Sequence, residues 1–320
     1  MTRGILRFCL VTACCCPLIF PFGGNLLQAR AAGAPRGGSA ESEELILCGW
    51  DEVFILELSG PADSLPRKVW SWKAAACANL PDSMKTRFGT TDDCKPVDQG
   101  RKILITSSED GVALVERESG KAVFCATAPN AHSADLLPGG RVAVASSHSS
   151  SANGDRLIVF ESGLPGRELC SSRLSWCHGV VWDNQRQLLY ALADSSIHIY
   201  KLIYWETDHP GIEETGKIDL PERGGHDFYP VPLGPFIALS TSGHCWFFDR
   251  DTRTVSAHPE LKDQRNVKCI SVNPRSGRLA WVQAKGDNWW AERVHFLHPE
   301  YTLRLPGEHL YKVRWYGGKN

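Results

Sequence analysis

Methionine is almost missing from this chain, with two in 320 residues, and no stretch runs far without a helix breaker. The 29 Gly and 19 Pro interrupt almost every window longer than about ten residues. That fits a strand-rich protein better than a helix bundle. No long run of lysine and arginine occurs, and the formal net charge is −1 with a pI of about 6.8. Nucleic-acid binding by phosphate neutralisation is therefore not expected. A glycine-rich phosphate loop, HExxH and GxSxG are all lacking, which argues against nucleotide enzymes, classical zinc proteases and α/β-hydrolases.

Of the 12 cysteines, four (Cys9, Cys14, Cys15 and Cys16) fall in the first apolar stretch. The others are Cys48, Cys77, Cys94, Cys125, Cys170, Cys177, Cys245 and Cys269, and none belongs to a CxxC pair. A structural zinc site is not expected from them. Cys77–Cys94 and Cys170–Cys177 are the loop-placed candidates for disulfides. Cys125, Cys245 and Cys269 lie in apolar strands and read as small buried hydrophobes.

What is present is an apolar start followed by many short strands. Arg3 and Arg7 precede an apolar run from Phe8 to Phe22, and Ala29-Arg30-Ala31 offers a small-x-small cleavage site before Ala32. Residues 1–31 are read as a signal peptide, 32–43 as a flexible leader and 44–320 as one domain. Export to the periplasm or the cell exterior follows. A lipobox reading at Val11-Thr12-Ala13-Cys14 is weaker, because the apolar run continues past Cys14. Pro17, Pro21, Gly23 and Gly24 break a run already short for a membrane span, so no stable span is expected.

From Glu44 onward the chain repeats itself. Ala131-His132-Ser133-Ala134-Asp135-Leu136 is followed by Pro138-Gly139-Gly140 and a second strand from Val142. The layout recurs from His178 and from His226, the histidines being 46 and then 48 residues apart, each with a second strand beginning ten residues later. A repeat of that length, made of short strands, indicates a β-propeller. Four-strand units are expected from Asp92, His132, His178, His226 and Lys268. A first unit with three strands is completed by Leu310–Tyr316 from the C-terminus. The expected fold is all-β: a six-bladed β-propeller of four-stranded antiparallel blades, closed by the last strand pairing into the first blade. The rival is a two-sheet sandwich, which does not explain a strand pattern recurring in register.

The blade spacing is similar to that of WD40 and quinoprotein-like propellers, although the Trp-Asp and Gly-His positions that define WD40 repeats are absent. The copies His132-Ser-Ala-Asp-Leu-Leu-Pro-Gly-Gly-Arg141 and Gly224-Gly-His-Asp227 resemble an exported bacterial propeller family of uncharacterised function. That resemblance implies the fold over most of the domain and brings no activity with it.

Aligning the units on their second strands brings out a site. Nine residues before Arg101, Arg141, Gln187 and Pro235 lie Asp92, His132, His178 and His226. Lys268 takes the position in the last full unit, and Tyr311 takes it in the closing strand. Inner strands of a propeller start at one mouth of the central channel, so these residues are expected around one opening. A solvated channel rim would also be polar there, but three histidines in register are unusual in a chain with 11. The loops expected at the same face carry Ser108, Glu109, His148, Asp194, Ser242 and Lys285, with Asp51 and Trp50 in the first blade.

His132, His178 and His226 with Asp92 are the candidate catalytic set, and His148, Asp194, Lys268, Lys285, Glu109 and Tyr311 the candidate ligand-binding set. The three imidazoles could hold Zn²⁺, Mn²⁺ or Fe²⁺ as a divalent metal cofactor. Without metal, one could act as general base while a lysine grips a carboxylate. Trp289-Trp290 could stack on a sugar ring or cover its own blade. Two functions remain open: a lyase or hydrolase acting on a carbohydrate or uronic acid, and a non-catalytic propeller binding a glycan or protein. The first has a fold-level analogy with the oligogalacturonate lyases, propellers with a histidine-rich metal site but seven blades.

Overall fold

Short apolar runs punctuated by glycine, proline and aspartate fold here into strands of four to nine residues. The computed structural model describes residues 43–58, 66–151 and 153–317. The expected signal peptide lies outside them, as does the expected leader apart from Glu43, which already opens a strand. Among the described residues no helix is long and apolar enough to cross a membrane.

The strands form six separate four-stranded antiparallel sheets. Blade 1 is Glu43–Gly49, Glu52–Leu58 and Arg67–Trp72, with Lys312–Tyr316 as its inner strand. The inner strands of blades 2 to 6 are Thr91–Val97, Ala131–Leu136, Gly179–Asp183, Asp227–Pro230 and Val267–Val272. Three further strands follow each in sequence order. The chain is thus a six-bladed β-propeller, and not a sandwich. Closure is direct: Lys312–Tyr316 pairs antiparallel with Glu43–Gly49, Cys48 facing Lys312 and Glu44 facing Tyr316. This joins the two ends of the ring and removes an open sheet edge.

Alternation along each strand explains how the ring packs. Leu45 and Leu47 face blade 6, whereas Ile46 and Cys48 face blade 2. The same division repeats around the circle, so that six apolar clusters lie between neighbouring blades. Each fully buried aliphatic or aromatic side chain contributes about 1.5–3 kcal/mol, and these seams hold the sheets together. Gly179 permits one of the tightest approaches, because a Cβ there would fall 2.4 Å from the Cβ of Phe228 in blade 5.

All eight cysteines of the domain are free thiols, and seven are buried. The two expected disulfides are not formed. Cys77 turns its sulfur to Asn79 Oδ1 and the Gly120 carbonyl, while Cys94 on its inner strand meets Cys48 instead. Cys170 lies mid-strand at the outside of blade 3 and Cys177 opens the way into blade 4, so they belong to different parts of the seam. Cys125, Cys245 and Cys269 are buried among apolar neighbours, as small hydrophobes.

Candidate functional site

The inner strands are irregular at the same place. Thr91 faces Ser107 and Asp93 faces Thr106, so Asp92 is an extra residue in a β-bulge. His132 and Lys268 are skipped in the same way in blades 3 and 6. In blades 4 and 5 the N–H groups of His178 and His226 reach Leu192 and Ser240, which are the pairing partners of the next residues, Gly179 and Asp227. A bulge re-aims a side chain that strict alternation would send elsewhere. Here it lets successive residues line the channel at two levels.

The upper level is a connected set. The ring centroids of His132 and His178 are 4.3 Å apart, those of His178 and His226 5.1 Å. Tyr311 donates its hydroxyl to His226 Nε2 at 2.8 Å, and Lys268 Nζ donates to the same nitrogen at 3.1 Å. Asp92 Oδ1 lies 3.8 Å from His132 Nε2, and Asp92 Oδ2 accepts the N–H of Ser108. His132 and His178 direct Nδ1 to the carbonyls of Asn130 and Trp176, each at 3.0 Å, which leaves Nε2 as the acceptor face. All six register residues therefore meet at one mouth.

Beneath them the channel is closed by buried charge. Arg314, fully buried, places Nη2 3.1 Å from Asp93 Oδ1 and 2.7 Å from Asp227 Oδ1. Its guanidinium carbon lies 4.1 Å from the ring centre of Tyr229. Lys312 Nζ donates to Asp227 Oδ1 at 3.0 Å, Ser133 Oγ to Asp93 Oδ2 at 2.9 Å and Lys95 Nζ to the Val180 carbonyl at 2.6 Å. A cavity of about 450 Å³, lined by Lys95, Asp135, Trp182, Tyr229 and Arg250 among others, occupies the far side of this layer. The ionic plug separates it from the histidine mouth.

Burial governs the protonation of the upper level. It lowers His132 to about 4 and, with the charge of His132 added, takes His178 well below its ordinary value. His226 is also pushed well below, by burial and then by Lys268. Burial raises Asp92 to about 7, against the hydrogen bond from Ser108, and lowers Lys268 to about 8, helped by Lys312. Burial and then the Asp92 charge hold Tyr311 well above 10. Near pH 7 the mouth carries neutral imidazoles, a half-protonated carboxyl and an ammonium. In the plug, burial opposes ionisation of Asp227, but Arg314 and Lys312 outweigh it and keep the carboxyl below its usual range.

These shifts give a stability profile. An unfolded histidine binds a proton below about 6.5, whereas folded His132 does so only below about 4. The unfolded state therefore binds more protons in that window, and stability falls as pH drops through it. Asp92 acts oppositely, since its folded form keeps a proton up to about 7. The thermal midpoint is expected to fall between pH 6.5 and 4.5 (the window set by these shifts, about two units). The fall should be steeper in Asp92→Asn and shallower in His132→Asn. Profiles unchanged in both variants would mean that these groups titrate as they do in water.

The other expected positions are more scattered. Ser108 Oγ pairs with Thr90 Oγ1 at 2.7 Å. Glu109 accepts the Gly89 N–H, and Asp194 accepts from Arg223 Nε and the Gly224 N–H, so both carboxylates brace loops. Lys285 is exposed beside a separate 220 Å³ cavity with Trp290 and Arg293. Asp51 pairs with Lys73. His148 stacks on Trp176 with centroids 4.7 Å apart and holds Asp155 through Nδ1. Trp289 stacks on Trp50 at 4.9 Å and meets Tyr311 edge-on at 5.6 Å, while Trp290 packs against His309.

Among the described residues no three His, Cys, Asp or Glu side chains are placed to hold a metal ion. The histidine rings lie against one another instead of converging through their nitrogens, and His226 Nε2 is already engaged by Tyr311 and Lys268. Trp176, on the link between blades 3 and 4, did not stand out in the sequence. Its signal would have been its place two residues before His178.

The model of a family described as a family of unknown function, DUF6528, matches residues 62–319. No curated protein matches the chain.

Proposed function

The chain belongs to the DUF6528 family, and we propose that its histidine mouth binds a carbohydrate bearing a carboxylate, such as a uronic acid. The observation that carries this reading is the Lys268–His226–Tyr311 set beside the stacked Trp50–Trp289 pair. Lys268 supplies the positive charge for the carboxylate. Neutral His132 and His178 present Nε2 to hydroxyl donors, and Trp289, backed by Trp50, offers an apolar face to a pyranose. The apolar N-terminal run, read as an export signal, would place this site where glycans occur.

A catalytic reading rests on one further observation. Asp92, near 7, stands beside a neutral imidazole, so an acid and a base coexist at neutral pH. In an elimination, a neutral imidazole would take the proton α to the carboxylate and Asp92 would protonate the departing alkoxide. The product would be an unsaturated sugar acid.

Calorimetric titration of the full chain with galacturonate and glucuronate oligomers, against neutral oligomers of equal length, tests the binding reading. A charge-assisted contact contributes about 1.5–3 kcal/mol, so the acidic series should bind roughly tenfold tighter or better. Equal affinity for the two series would overturn it. Ultraviolet absorbance of an unsaturated product reports on the catalytic reading separately.

A further inference from the structure

Beyond the polar ring, the mouth is crossed by a continuous line of aromatic side chains. Trp50 stacks on Trp289 at 4.9 Å, Trp289 meets Tyr311 at 5.6 Å, and Tyr311 meets His226 at 5.8 Å. The line continues through His178 at 5.1 Å and Trp176 at 6.4 Å to His148 at 4.7 Å. Its ends lie on opposite sides of a six-fold ring. Trp50 and Trp289 stand where blades 6 and 1 meet, and Trp176 and His148 where blades 3 and 4 meet. The outer rings are accessible: Trp50 is 37% exposed, Trp289 38% and Trp176 45%.

The backbone is arranged to display them. Trp50 and Trp176 have φ of 46° and 52°, a left-handed conformation that is rare for bulky residues and costs about 1–3 kcal/mol. Asp155 steadies one end, accepting the N–H of Trp176 through Oδ1 at 2.7 Å and bonding His148 through Oδ2 at 3.0 Å. Trp50 rests on Trp289 and His309 and Trp176 on His148, with the rest of each ring at the surface of the mouth. A single sugar in a pocket would need one platform, not two on opposite rims joined by a row of rings.

We infer that the mouth is an open track for a linear oligosaccharide lying across the propeller, with its central unit over Lys268 and His226 and flanking units on Trp50–Trp289 and Trp176–His148. This rests on the sugar-acid reading for the central unit only. The flanking platforms act through stacking.

The test is a calorimetric chain-length series, from monomer to hexamer, in acidic and neutral forms, on the full chain and on Trp176→Ala and Trp50→Ala. Affinity should climb with length beyond the dimer. Each alanine variant should lose roughly tenfold for the hexamer, and Trp176→Ala, which lies outside the central site, should leave the monomer unchanged. A Trp176→Phe variant should keep most of the hexamer affinity, which separates a stacking role from a folding defect. Binding that is independent of length, or a Trp176→Ala variant that weakens monomer and hexamer alike, would overturn the track while leaving the sugar-acid reading standing. Length-dependent binding with no preference for acid would support the track and overturn that reading. If no saccharide of either series binds, both fall.

Discussion

Replacing Arg314 with methionine is expected to cost about 3–5 kcal/mol of folding stability, the range for breaking a buried ion pair from one side. Arg314 is fully buried and shares its guanidinium between Asp93 and Asp227. Methionine fills much of the same volume but leaves two buried carboxylates facing one another. Lys312 reaches Asp227 and lies within the field of Asp93, but it cannot replace a planar group that bridges the two. With roughly 2–4 °C per kcal/mol for a domain of this size, the thermal midpoint should fall by about 10 °C. Adding Asp227→Asn to Arg314→Met should recover part of the loss, because it removes one stranded charge. Thermal unfolding followed by circular dichroism reads both. A loss below about 1 kcal/mol, the level of a surface ion pair, would mean that the plug does not hold the inner strands together.

The second large effect is on ligand affinity. Lys268→Met should weaken acidic oligosaccharides by roughly 30-fold or more, corresponding to about 2–3 kcal/mol for a partly desolvated charge-assisted contact. The neutral series should change little. A pH signature accompanies it. Lys268 carries its charge below about 8 and loses it above, so affinity for an anion falls as pH rises through that value. Asp92 is neutral below about 7 and negative above, which adds a repulsive step at lower pH. The 268 variant should lack the step near 8, and Asp92→Asn the step near 7. A wild-type profile that is flat from pH 6 to 9 (about three units around these values) would place the carboxylate elsewhere.

The candidate site was unusually legible because a propeller repeats. Once the second strands are aligned, Asp92, His132, His178, His226, Lys268 and Tyr311 fall at one position, and equal positions in equal blades share one radius and height. Loop residues do not share that constraint. Asp194 and Glu109 occupy the expected loops yet turn back to cap backbone N–H groups. The bulges could have been suspected from adjacent polar pairs such as Asp92-Asp93 and His226-Asp227, but a strand of period two assigns only one of each pair to a face. The disulfide expectations failed for a related reason. Proximity in sequence says little about proximity in space when, as in both pairs, one residue sits on a strand and the other in a connection outside it.

The sequence by itself determined the six blades, the closing strand and the ring of six residues, since all three follow from strand periodicity and a repeat of 46–48 residues. Only the tertiary structure decided what surrounds that ring. Arg314 reads in sequence as one of two basic residues, with Lys312, in a short closing strand. Its partners lie 221 and 87 residues away, and their convergence depends on the closed circle. The aromatic line is likewise assembled from six separate stretches of chain. Repetition carries local periodicity into a global position, but contacts across the ring arise only when the ring closes.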